Sequence, residues 1–164
     1  MNSHLDNCLA IILDATKGGG DECRVRSNPK LWSPVEIAEH LTRAYAGTAK
    51  GFERCVEKHA SLATSLTPKQ RLQQWVLISL GYFPAGRESP KHILPTGELD
   101  LGAVLDAVRR DLARLDDSAT RARQALGAGR MLDHPIVGAL SVDQWLKFHE
   151  IHTRHHARQI LQRR

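Results

Sequence analysis

The chain has 164 residues, 41% of them apolar, which is enough for one hydrophobic core and short for two, so a single domain over residues 1–164 is expected. Its formal net charge is +5, yet the 23 Lys and Arg are scattered among 18 Asp and Glu, and no basic stripe interleaved with aromatics argues for a nucleic-acid partner. No stretch approaches the roughly 20 apolar residues of a membrane-spanning helix.

Ala, Leu, Arg, Gln and Glu dominate, aromatics amount to 5%, and no regular alternation of β-branched residues is visible, so an all-α fold is expected. Cys8, Cys23 and Cys55 cannot all pair within one chain. The apolar run from Cys8 to Leu13 is too short for a secretory leader and follows Asp6 rather than a basic segment. These features point to a reduced, cytoplasmic protein whose cysteines are buried small hydrophobes.

The first helix is expected from about Ser3 to Lys17, with Leu5, Leu9, Ile12 and Leu13 on one face and Gly18-Gly19-Gly20 as its stop. The second opens at Trp32-Ser33-Pro34-Val35-Glu36, where Ser33 and Glu36 form an S-x-x-E capping box and Pro34 suits the first helical position. It runs to about Lys58 and buries Ile37, Leu41, Thr48, Phe52 and Cys55, with His40 on the flank of that stripe. Ala44, Gly47 and Gly51 follow His40 on its own face. Glycine costs about 1 kcal/mol against alanine inside a helix, so these two have a reason. Close approach of a neighbouring helix and space for a ligand beside His40 both supply one.

Thr67-Pro68 begins a shorter helix carrying Leu72, Trp75, Val76 and Leu80 and ended by Gly81. Pro84, Gly86, Pro90, Pro95 and Gly97 then exclude regular structure and mark a long crossover. Its Arg87, Lys91 and His92 could meet an anionic substrate, although solvated charges on a tethering loop are the favoured reading. A third long helix from about Asp100 to Leu126 presents Leu101, Val104, Leu105, Val108, Leu112 and Leu115. A turn containing Asp133-His134-Pro135 and Gly138 leads to a second capping box at Ser141 and Gln144, and the last helix runs from about Val142 to Gln162. The expected architecture is a four-helix bundle with one long crossover connection and a short extra helix. Arg154, Arg158, Arg163 and Arg164 read as a solvated helix end in preference to a phosphate-binding patch.

Four of the nine histidines, His149, His152, His155 and His156, fall within eight residues of that last helix. His152 and His156 stand four apart and can aim two imidazoles at one point. At 100° per residue His149, His152 and His156 share an arc of about 60° with Trp145 and Ile160 close by, an inward stripe that is poor core material unless its nitrogens find partners. Histidines bonded among themselves, or a subunit contact, are the plain alternative. A metal is favoured, with His40 as the third ligand. Three neutral imidazoles suit Zn²⁺ first, or Ni²⁺ or Fe²⁺, and leave open coordination positions. The H-E-x-x-H pattern of metalloproteases is absent, and Glu150 projects away from the pair as a solvated side chain.

The pattern W-S-x-x-E-I-x-x-H-L at Trp32–Leu41, taken with H-x-x-H-H-x-x-Q-I at His152–Ile160, resembles the DinB/YfiT-like superfamily of metalloenzymes. The resemblance implies a bundle, often a homodimer, with a divalent metal on the residues matching His40, His152 and His156. It gives His155 and Gln159 supporting positions around the ligands and leaves His149 as an additional pocket residue. It further implies a thiol-dependent S-transferase or a hydrolase acting on a small molecule, with a low-molecular-weight thiol such as bacillithiol, mycothiol or glutathione as a candidate cosubstrate. The competing expectation is a non-catalytic helical binding or oligomerisation module with structural histidines.

Overall fold

The computed structural model describes residues 1–81 and 89–164 and is mostly helical, with one small sheet. The expected crossover residues Pro84, Gly86 and Arg87 lie outside the described residues. Helix α1 (Ser3–Thr16) is capped by Asn2, whose side chain accepts from the His4 N–H. Helix α2 (Pro34–Glu57) opens with the complete Ser33/Glu36 box and Pro34 in its first turn. Among the described residues no helix is long and apolar enough to cross a membrane.

Helix α3 (Pro68–Gln74) has its own box at Thr67 and Gln70 and continues into a π-helical turn over Trp75–Ser79. The expected apolar stripe is corrected: the inward face is Gln74, Leu77 and Ile78, at helical steps of three and four, while Leu72, Trp75 and Leu80 stand 63%, 56% and 61% exposed. Gln74 takes an inward position and donates to the Val137 and Ala139 carbonyls at 2.8 and 2.7 Å.

Helix α4 (Leu101–Leu126) starts at Asp100, which accepts from Ala103, and stops at Gly127 with φ of 79°. Helix α5 (Val142–Arg163) begins with the Ser141/Gln144 box. Helix α2 packs along α4 and α1 along α5, while α5 also touches α2 and so brings the two histidine-bearing helices together. Leu5, Ile12, Ile37, Leu41, Tyr45, Phe52, Val108, Leu112, Leu115 and Ile160 are fully buried between them. Cys8, Cys23 and Cys55 are free thiols, each 0% exposed.

An all-α fold is corrected by a hairpin: β1 (Arg130–His134) pairs antiparallel with β2 (Gly138–Ser141), with Leu132 opposite Leu140 and His134 opposite Gly138. Two strands this short, with an irregularity between Arg130 and Leu132, never display a readable period of two. Gly138 is the hairpin's constrained position. Its φ is +70°, and a Cβ there would stand 2.6 Å from Leu66 Cδ2 and 2.8 Å from Gln70 Cδ. Gly138→Ala is therefore expected to destabilise the protein by about 1–3 kcal/mol, read as a lowered urea midpoint at unchanged m-value. A midpoint equal to that of the wild type would contradict this packing.

Gly51 and Gly47 separate the two reasons considered for them. A Cβ on Gly51 would stand 2.6 Å from Leu132 Cδ1, so the close approach is made by a side chain of β1 rather than by a helix. Gly47 is exposed and a Cβ there would meet nothing within 4 Å.

Candidate metal centre

His40 comes from the second turn of α2, and His152 and His156 from successive turns of α5. Their side chains are 1%, 6% and 7% exposed. One nitrogen from each lies within 4.8 Å of the other two, so the three residues could hold a metal ion. His40 Nε2 and His156 Nε2 stand 3.4 and 3.0 Å from His152 Nε2. Tetrahedral nitrogen ligands at about 2.0–2.1 Å from zinc stand roughly 3.4 Å apart, and these two separations are close to that.

The outer nitrogens decide where the protons sit. His40 Nδ1–H donates to the Ile93 carbonyl at 2.9 Å. His156 Nδ1–H donates to Gln159 Oε1 at 2.8 Å, while the other end of that amide donates to His155 Nε2 at 3.2 Å. Both Nε2 atoms of these neutral rings consequently carry bare lone pairs directed at the same place. His152 Nε2 can offer a proton to one of them at most. A cation at the point of convergence would satisfy all three.

Burial keeps the rings neutral. It pulls His156 down to about 3, with the nearby His40 and the Arg163 charge acting in the same direction. His40 and His152 are lowered by the same cause, His152 well below the ordinary histidine value. Neutral imidazole is the form that binds a metal.

Further residues hold these rings in place. Trp32 packs on His40 with ring centroids 5.0 Å apart, and Arg163 donates to the Trp32 carbonyl at 2.9 Å. Phe148 stacks on His152 at 5.4 Å and 19°. The crossover is tied to α2 by Glu39, whose carboxylate accepts from Thr96 N–H, Thr96 Oγ1 and Gly97 N–H at 2.9–3.0 Å. Burial opposes the Glu39 charge, but these donors and Arg43 outweigh it and hold its carboxyl below the usual range. The Glu39 tie escapes a reading by apolar spacing. A charged residue beside His40 in a capped helix, opposite the turn-forming pair Thr96-Gly97, is the signal that could have found it. Lys91 and His92 are exposed, as expected of a tethering loop.

The remaining histidines take other positions. His149, 0% exposed, stands apart from the three: its Nε2–H donates to Thr48 Oγ1 at 3.0 Å, because that hydroxyl gives its own proton to the Ala44 carbonyl. Its Nδ1 has no hydrogen-bond partner among the described residues. His155 is half-buried at the edge of the cluster. Glu150 corrects an expectation, being 7% exposed instead of solvated. It accepts from Asn7 and Arg154 and lies 2.5 Å from His4 Nδ1, which joins α1 to α5. Arg163 and Arg164 are likewise bonded rather than merely solvated, since Arg164 donates to the Ala15 and Lys17 carbonyls at the end of α1.

A family model described as a protein of unknown function, DUF1569, matches residues 21–163. The chain belongs to the DUF1569 family. The resemblance to the DinB/YfiT-like superfamily is thereby corrected: no DinB-like model is found, and the DUF1569 match takes in both motifs on which that resemblance stood. The physical reason is that two histidines four apart on one helix and a third on a capped neighbour follow from aiming imidazoles at one point. Such spacing records a geometry and not a line of descent. No curated protein and no solved structure matches this DUF1569 chain.

The Gln159 amide is the member of this arrangement whose effect is easiest to isolate. Gln159→Leu removes the acceptor that fixes the His156 tautomer without touching a ligand atom. It is expected to weaken zinc binding by about 10–100-fold in a chelator competition, the usual cost of losing a ligand's outer hydrogen bond. An unchanged affinity would show that Gln159 only packs there.

Proposed function

We propose that the protein is a metal-dependent enzyme in which His40, His152 and His156 hold one divalent transition metal, zinc by preference over nickel or iron, and a small nucleophile attacks a small-molecule electrophile beside it. The reaction class is hydrolysis or thiol S-transfer. The observation that carries this reading is the convergence of three Nε2 atoms whose outer nitrogens on His40 and His156 are committed to Ile93 and Gln159. A metal held by three protein nitrogens with a position left open lowers the pKa of a water or thiol and polarises an electrophile.

The chain's own residues supply position and charge balance. The candidate group contains three imidazoles and no carboxylate, so its neutral donors leave the full positive charge of the ion to act on a nucleophile. Trp32 and Phe148, packed on His40 and His152, shield the rings from water and restrict their rotation. We read the framework as a four-helix bundle of α1, α2, α4 and α5, in which the site joins α2 and α5 and the crossover closes one side through Ile93.

The low exposure of the three ligand residues also suits the second reading, a non-catalytic helical module with structural histidines. Activated aryl esters, and an aryl halide offered with a small thiol, separate the two. Turnover that disappears with chelator, returns with zinc and is lost in His152→Ala supports the enzyme. A protein that retains stoichiometric zinc and turns over neither class supports the structural module.

A further inference from the structure

A groove of about 450 Å³ lies on another face of α5, between that helix and the end of the π-helical turn. Lys147, Ile151, Arg154 and Arg158 follow each other at steps of three and four and share this face, away from His152 and His156. The volume is within the roughly 300–1,000 Å³ of small-molecule sites.

The chemistry of its lining has two parts. Lys147, Arg154 and Arg158 bring three positive charges, and Glu150 is the lone acid among the lining residues. Glu150 is already committed, with one oxygen at His4 and the other accepting from Asn7 and Arg154. Lys147 and Arg158 enter no ion pair among the described residues. The groove thus carries a net charge of +2, from three cations less one carboxylate, counting its histidine as neutral. Opposite the cations, Ile78 is nearly buried and Leu80 is 61% exposed, giving an apolar wall and rim. Ile78 faces inward four residues after buried Gln74, and Leu80 is left at the edge.

We propose that this groove is a binding site for a small amphipathic carboxylate, with its head on Arg158, its apolar body against Ile78, Ile151 and Leu80, and Lys147 adding to the positive field about three turns away. A guanidinium fork matches the two oxygens of a carboxylate. The site does not require the function proposed for the metal centre, which it borders at His155, a lining residue that accepts from Gln159.

The probe is octanoate, titrated into the full-length ¹⁵N-labelled protein, with octanol as its uncharged counterpart. Saturable shifts at the Ile151 and Arg158 amides, affinity at least ten-fold weaker for octanol, and a ten-fold or greater loss in a Lys147→Glu/Arg158→Glu double variant are expected. Both substituted residues are at the surface or its edge, and an unchanged circular dichroism spectrum confirms the fold. His152→Ala is expected to bind octanoate as the wild type does. Equal affinity for octanol, full affinity in the double variant, or no saturation by octanoate would overturn the proposal. Binding to phosphatidylglycerol vesicles without binding to octanoate would overturn it in favour of a membrane surface.

Discussion

His152→Ala is expected to lose zinc affinity by far more than the roughly 10–100-fold that follows removal of an outer hydrogen bond, because it deletes the central nitrogen of the candidate group. His152 Nε2 is the atom to which both other ligand nitrogens are close, at 3.4 Å from His40 and 3.0 Å from His156. Without it, two imidazoles on different helices remain, and two nitrogens retain an exchangeable ion poorly at neutral pH. The helices do not depend on this ring, since α5 is held by its Ser141/Gln144 cap and by Trp145, Leu146 and Ile160 in the core. The variant should therefore keep its far-ultraviolet circular dichroism while losing metal in equilibrium dialysis. His40→Ala and His156→Ala should behave alike. Stoichiometric zinc in all three variants would remove the assignment altogether.

The second large effect is the response of the metal-free fold to acid. Burial pulls His149 down to about 3 from an ordinary value of 6.5, with the nearby His134 acting in the same direction. Burial alone lowers His134 to about 4. Between those values and 6.5 the unfolded chain binds protons that the folded chain refuses, so folding is favoured above pH 6.5 and loses ground as pH falls below it. The slope approaches about 1.4 kcal/mol per pH unit for a group such as His149, or roughly 2 kcal/mol between pH 6.5 and 4.5.

That window isolates histidine. Glu36, Glu39, Glu53 and Glu150 are all held below the ordinary 4.5, so the stability they contribute is lost only at lower pH. Urea midpoints with chelator present should fall steeply from pH 6.5 to 4.5, and His149→Gln should flatten that fall by about 1.4 kcal/mol per unit. A profile that is flat in the wild type would show that these rings are not buried neutral.

The helices were legible wherever the chain carries its own punctuation. Ser33 with Glu36 and Ser141 with Gln144 mark two starts through bonds made within four residues, and Thr67-Pro68 marks a third by a cap residue followed by proline at the first helical position; such local signals are visible in sequence. The hairpin was not legible, because five-residue and four-residue strands held by Gln74 and Leu66 draw their stability from partners some seventy residues away. The π turn was hidden for a related reason. One extra residue in a helical turn leaves the composition of the segment unchanged.

The same division runs through the candidate site. His40, His152 and His156 could be named together from a four-residue spacing and a capped helix, and the structure brings them within 4.8 Å. The partners that fix their protons were less accessible. Gln159 lies three residues from His156 and was within reach of helical spacing, whereas the Ile93 carbonyl is 53 positions from His40 and depends on how the crossover returns. Glu150 was misread as solvated because helical angles give direction relative to one axis and say nothing of α1, whose His4 and Asn7 cover it.

The proposed function stands on metal binding by His40, His152 and His156. The most direct test is zinc K-edge X-ray absorption on protein purified without chelator and reconstituted with one equivalent of zinc, alongside elemental analysis. Near one zinc per chain is expected, with three imidazole nitrogens at about 2.0–2.1 Å and a lighter scatterer completing the shell. Trace metal after reconstitution, or a shell without imidazole, would contradict it.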